Sequence, residues 1–172
     1  IAQWAVQSGW QRILIVNGHC GNDAPLRCAV DRLRHDYGGQ LLVAMRNTWQ
    51  LSTNIAGRFI HDAADWHANE AETSLMLFLA PDSVQHSRIA TSDDPDRTKG
   101  CVFPHRVANT STNGVTGRPS LWTEEHGVYL IDSMARALGD LIRKARDELP
   151  PLAWPDAAPA QASPAPPVEV FS

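Results

Sequence analysis

The chain predicts an α/β fold built on parallel strands. Three observations lead there: the apolar run Ile13-Leu14-Ile15-Val16, a second run at Gln40 to Met45, and a stretch of helical spacing between them with short links on either side. Aliphatic runs without polar alternation read as strands buried on both faces. A strand-helix-strand order with such links makes a crossover unit, and parallel crossovers are right-handed.

The elements follow in order. Residues 1 to about 8 read as the end of a helix closed by Gly9, and Gln11 to Val16 as the first visible strand. A turn at 17–22 leads into a helix from Asp23 to Asp36, with Pro25 in its first turn and Leu26, Ala29, Val30 and Leu33 on one face. Gly38-Gly39 ends it, and Gln40 to Met45 is the second strand. From Arg46 to Asp65 the pattern is mixed, which predicts an irregular segment or small helices over the carboxyl edge of the sheet, where substrate contacts gather. Leu75 to Leu79 is apolar on every side and predicts a core helix that Pro81 stops. Residues 91–100 read as a solvated loop. The last helix is expected from Thr123 to Glu148, with Ile131, Met134, Leu138, Leu141, Ile142 and Ala145 as a core stripe. A domain at 1–149 is therefore expected, followed by a Pro/Ala-rich tail at 150–172 whose prolines exclude regular structure and predict disorder.

Composition excludes several classes of function. A net charge of −4 with interspersed signs leaves no basic stripe for nucleic acid. No apolar run approaches the ~20 residues that span a bilayer, so no membrane role is expected. No secretory signal pattern is read at the start. Cys20, Cys28 and Cys101 are too few for a disulfide framework, so a cytoplasmic location is predicted, with Cys28 and Cys101 as small hydrophobes.

Two segments carry chemistry. Asn17-Gly18-His19-Cys20-Gly21-Asn22 follows the first strand directly, which sets an imidazole at the carboxyl end of a parallel sheet, where ligand sites collect. The second is Asp65-Trp66-His67-Ala68-Asn69-Glu70-Ala71-Glu72-Thr73-Ser74, leading into the apolar helix. Together the segments resemble the creatininase (creatinine amidohydrolase) family, whose members carry an Asn-Gly-His-Gly-Gly-Asn-like turn and a His-Ala-Gly-Glu-x-Glu-Thr-Ser-like helix start. Gly114-Val115-Thr116-Gly117-Arg118-Pro119-Ser120 is a weaker echo. The resemblance covers residues 1 to about 148 and implies a three-layer αβα fold with a mainly parallel sheet. Family members also resemble one another upstream, in a Glu-x-His-Gly segment and an Asp that supply most ligands of a two-metal centre. The chain starts after that point, so it is expected to be incomplete at the N-terminus, a piece of a longer protein.

Helical geometry separates the acidic residues. With Asn69 as N-cap, Glu70 falls at N1 and Glu72 at N3, the capping-box spacing, and Glu70 complements the helix dipole. His19 is either a metal ligand or a ring that satisfies a turn. The resemblance implies that His19 and Glu70 are metal ligands, because Gly21 stands where creatinine-hydrolysing members place a glutamate and Glu70 would fill the vacated ligand position. For the same reason creatinine is not expected as the substrate. Glu72 would then orient groups around the metal, and His67 would protonate a leaving nitrogen or polarise a carbonyl; free imidazole titrates near ~6.5. Cys20 and Trp66 are expected to line the substrate pocket, although Trp66 fits plain packing as well. The reaction implied is attack of a metal-activated water on an amide or cyclic amide in a small molecule, with zinc or manganese, or else iron, as the metal. A homo-oligomer is implied in the same way.

His61, Asp62 and Asp65 lie in a polar loop and are expected to be solvated, not a separate metal site, and His35, His86, His105 and His126 are expected at the surface. Two rival readings stand beside the hydrolase. In one, Cys20 is a nucleophile on an elbow-like turn with His67 as base. In the other, the chain is an inactive metal-binding or assembly remnant.

Overall fold

The computed structural model describes residues 1–150. Helix α1 (Ala2–Gln7) leads to strand β1 (Arg12–Asn17), helix α2 (Asp23–Tyr37) and strand β2 (Leu42–Asn47). The strands pair in parallel, in register from Arg12 opposite Leu42 to Asn17 opposite Asn47. Parallel strands need a crossover, and α2 supplies it while packing against β2. Both strands run to an asparagine, beyond the apolar residues that predicted them. Asn17 and Asn47 are buried at the strand ends, where the Nδ2 of Asn17 donates to Oδ1 of Asn47 at 2.7 Å.

Burial of the strands on both faces was expected and is corrected. Ile13, Leu14 and Ile15 are half-buried, and Val16 is 44% exposed. Among the described residues the sheet has two strands, so each keeps an open edge.

The segment after β2 holds a short 3-10 turn at Thr48–Gln50 and helix α3 (Thr53–Ile60), capped by Ser52, whose Oγ accepts from the amide of Ile55. Helix α4 (Glu70–Leu79), the single-turn helices α5 (His86–Ile89) and α6 (Val107–Thr110), and the long α7 (Glu124–Asp147) complete the order. The core lies between α3, α4 and α7, where Trp49, Ile55, Phe59, Ala63, Trp66, Ala71 and Leu130 pack together. Helices α4 and α7 meet closely because Gly127 lacks a side chain: a Cβ there would lie 2.3 Å from the carbonyl oxygen of Ser74.

Two helix expectations change. Helix α4 buries Ala71, Ser74 and Leu77 but leaves Met76, Phe78 and Leu79 exposed, so it is one-sided in this structure. On α7 the fully buried residue is Leu130, while the predicted stripe is half-buried and Ile142 is exposed. Helix α7 has 24 residues against 10 in α4, so its C-terminal half runs past its partner. The Pro/Ala-rich tail from 151 onward lies outside the described residues.

Candidate functional site

His19 is held by a chain of asparagine side chains. Its backbone N–H donates to Oδ1 of Asn17 at 3.1 Å, Asn17 is tied to Asn47, and Asn47 donates in turn to Asp23 and Gln50. The loop thus springs from the carboxyl ends of both strands at once. The imidazole folds back over Gly21, where a Cβ would lie 2.9 Å from its Nε2. Glycine at 21 is therefore a condition of this ring position.

His67 stands on a second loop. Its backbone exchanges two hydrogen bonds with Thr116, and its Nδ1 lies 2.6 Å from the carbonyl oxygen of Gly114. A carbonyl only accepts, so Nδ1 carries the hydrogen and Nε2 is left for proton exchange. The next residue, Ala68, takes φ 49°, and Asn69 caps α4 by accepting from the amide of Glu72 at 3.2 Å. Glu72 answers with Oε2, which accepts from the amide of Ala68 at 2.5 Å. This is the capping-box idea moved back by one residue.

The two loops come together. The rings of His19 and His67 are 6.4 Å apart between centroids and nearly perpendicular, at 78°. Cys20 packs against the core beside them. Its thiol pKa is raised, first by burial and then by the negative charges of Glu72 and Asp65. Trp66 is buried in the core, with its ring edge-on to Trp49 at 5.6 Å and near Phe59 at 5.1 Å.

Glu70 faces other partners. Its Oε1 is 2.9 Å from Nδ1 of His126 and its Oε2 is 2.9 Å from Nε2 of His61. This group borders a cleft of about 380 Å³ that Thr53, Asn54, Gly57 and Arg58 also line. His126 was expected at the surface and is 8% exposed. The signal that places it was the spacing His126, Leu130, Met134, four residues apart on the face that α4 covers. Asp62 was expected to be solvated, yet its side chain is 1% exposed. It accepts from Nδ2 of Asn69 at 2.7 Å, the amide of Arg118 at 2.7 Å and the amide of Glu70 at 3.3 Å. No periodicity marks such a residue, because its partners lie at the start of α4 and in the distant loop that holds Arg118.

Both Glu70 oxygens are engaged by histidines. Among the described residues no group of three or more His, Cys, Asp or Glu side chains is placed to hold a metal ion. These residues alone do not fit a two-metal centre. A larger cleft of about 580 Å³ runs beside the strands, lined by Arg12, Leu14, Leu42 and Arg46 and by the end of α7, and neither His19 nor His67 lines it. No described helix is long and apolar enough to cross a membrane.

Known proteins resemble the chain in sequence and in shape. A curated relative, the mycofactocin precursor peptide peptidase of Mycolicibacterium smegmatis, is 28% identical over an alignment of 142 residues that covers 80% of this chain and 51% of that protein. A mutant creatininase solved in a Zn–Zn form superposes with a TM-score of 0.70 at 23% identity, covering 86% of this chain and 61% of the other. A manganese creatininase gives 0.64 at 24% identity with the same coverage. The chain spans about half the length of the curated relative and about three-fifths of the solved structures. The fold is that of the creatininases, mixed helix and sheet around parallel strands. A family model described as creatinine amidohydrolase matches residues 1–142, and the chain belongs to the creatininase family.

Proposed function

We propose that this chain forms one wall of an amide-hydrolysing site in which His67 moves the proton and His19 stands beside it. The approach of their rings to 6.4 Å, from two separate loops, is the observation that carries the reading. With Nδ1 committed to Gly114, Nε2 of His67 accepts a proton from the attacking water or, when charged, donates one to the leaving nitrogen. A positioned acid–base group accelerates such steps by about 10²–10⁴-fold. Glu72 fixes the Ala68 amide and so the turn that presents His67. Cys20 borders the substrate, and Trp66 supports the loop from the core. The substrate class is an amide or cyclic amide in a small molecule; the names of the relatives, a peptide peptidase and a creatinine amidohydrolase, both denote hydrolysis of a C–N bond at a carbonyl carbon.

Metal dependence enters in a limited form, supported by the zinc and manganese forms of the similar creatininases. A bound divalent metal supplies a nucleophilic water at neutral pH. His19 is the donor assigned to it. Glu70 serves as a ligand only by releasing one of its histidines, and the other donors would come from outside the described residues. In this reading the protein works in the cytoplasm as a homo-oligomer, the assembly that the family resemblance implies.

Two observations bear on the rival readings. The raised pKa of Cys20 disfavours a thiolate nucleophile at neutral pH. The convergence of His19 and His67 from two separate loops favours a hydrolytic site over an inactive remnant. Hydrolysis of a panel of peptides, lactams and simple amides separates them, measured before and after chelation and after adding back zinc or manganese. Turnover that chelation abolishes, metal restores and His67→Ala removes supports the proposal. Turnover that persists in His67→Ala overturns it.

A further inference from the structure

The turn that presents His67 is held at both flanks by one buried carboxylate, and we infer that Asp62 is a positioning residue that sets the orientation and the tautomer of His67. The inference rests on the proposed role of His67 but has its own test. On the near side, Oδ1 of Asp62 accepts from Nδ2 of Asn69 and Oδ2 accepts from the amide of Glu70, the two residues that follow Ala68. On the far side, Oδ2 accepts from the amide of Arg118, two residues beyond the Thr116 that pairs with His67. The loop at 114–118 is thereby pinned against the helix start, and its Gly114 carbonyl is the group that receives the Nδ1–H of His67.

The surroundings leave this clamp little freedom. Gly117 adopts φ 130°, and a Cβ there would lie 2.7 Å from Oδ2 of Asp62 and 2.6 Å from Cβ of Asn69. Only a glycine lets the carboxylate approach both strands of the bridge. At the other end of the loop, Asp94 exchanges backbone hydrogen bonds with Gly117 and accepts from the amide of Thr112 at 2.7 Å. Asp94 therefore fixes the loop at 112 and 117, while Asp62 fixes its position relative to His67. Asp62 touches neither imidazole nitrogen of His67; it acts through the Gly114 carbonyl.

A free neutral imidazole exchanges between its two tautomers, and the partner of one nitrogen decides which form is held. The test is nitrogen-15 NMR of the histidine rings in the full chain at pH 8, for the wild type, Asp62→Asn and Asp62→Ala, with thermal unfolding recorded in parallel. The wild type is expected to show His67 protonated at Nδ1, with slow exchange of that proton. Asp62→Ala is expected to shift His67 toward the Nε2–H form and to speed the exchange by about tenfold, the equivalent of one net hydrogen bond. Asp62→Asn keeps a neutral acceptor but sets an NH₂ against either Asn69 or the two amides, so an intermediate rate is expected. A folded Asp62→Ala with His67 unchanged overturns the inference. Should that variant fail to fold, the wild type and Asp62→Asn decide: faster exchange in Asp62→Asn supports the clamp, and an equal rate overturns it. None of these readouts depends on turnover, so a chain without hydrolytic activity leaves the result intact.

Discussion

Glu70 on the first turn of α4 and His126 on the first turn of α7 meet at 2.9 Å, across 56 residues of sequence. His61 at the end of α3 closes on the other oxygen. One carboxylate thus ties three helices at the rim of the core. Glu70 and Glu72, two residues apart in the sequence, have different tasks: one binds helices together and the other holds the turn beneath His67.

His126→Ala removes a buried partner and leaves Glu70 with one histidine. The expected loss is about 1–3 kcal/mol, the usual cost of stranding a partly buried charged acceptor. Chemical denaturation of the two proteins checks it. An unchanged midpoint would mean that the contact contributes nothing to stability.

The α4–α7 crossing makes an opposite pair of glycine predictions. Gly127→Ala drives a Cβ into the Ser74 carbonyl, which is backbone and cannot swing away. Overpacking of this kind costs about 1–3 kcal/mol. Gly139→Ala, later on the same helix, would meet only the Arg143 side chain at 3.5 Å, and helix propensity favours it by about 0.5–1 kcal/mol. Melting temperatures of the two variants should move in opposite directions.

Acid should loosen the loop that serves His67. The Arg97 guanidinium, followed by the amide of Thr112, holds the Asp94 carboxyl well below the ordinary carboxylate range. A folded-state pKa below the unfolded one adds stability that is complete above about pH 5 and drains away as pH falls below about 4. The melting temperature of the wild type should exceed that of Asp94→Asn at pH 6, with the gap narrowing toward pH 2.5. A gap independent of pH would show that the carboxylate charge is not what holds the loop.

Thiol labelling separates the cysteines. Cys28 and Cys101 are exposed, whereas Cys20 is half-buried with its pKa raised. Iodoacetamide at pH 7 should modify Cys28 and Cys101 well before Cys20, read by mass spectrometry of peptides. Cys20→Ser should keep any amide hydrolysis, and its loss would revive the nucleophile reading.

The local part of this architecture was legible in the sequence. Aliphatic runs marked both strands, Asn69 and Thr123 marked two helix starts, and the His19 turn and the His67 segment, singled out as a pair, lie side by side in the fold. What was hidden depends on distance along the chain. Asp62 and His126 sit in polar surroundings in the sequence and find their partners only after folding, at Arg118 and Glu70. Asn47 closes the first loop through a register that no single segment encodes. The exposed side of α4 was misread for a related reason: apolarity reports what a helix could bury, not what this chain places against it.

The most direct test is amide hydrolysis by the protein carrying this chain, compared with its His67→Gln variant under matched metal content and folding. The account predicts a fall in kcat of at least about 10²-fold, the contribution of a positioned acid–base group. A His67→Gln protein that turns over amides at the wild-type rate would contradict it.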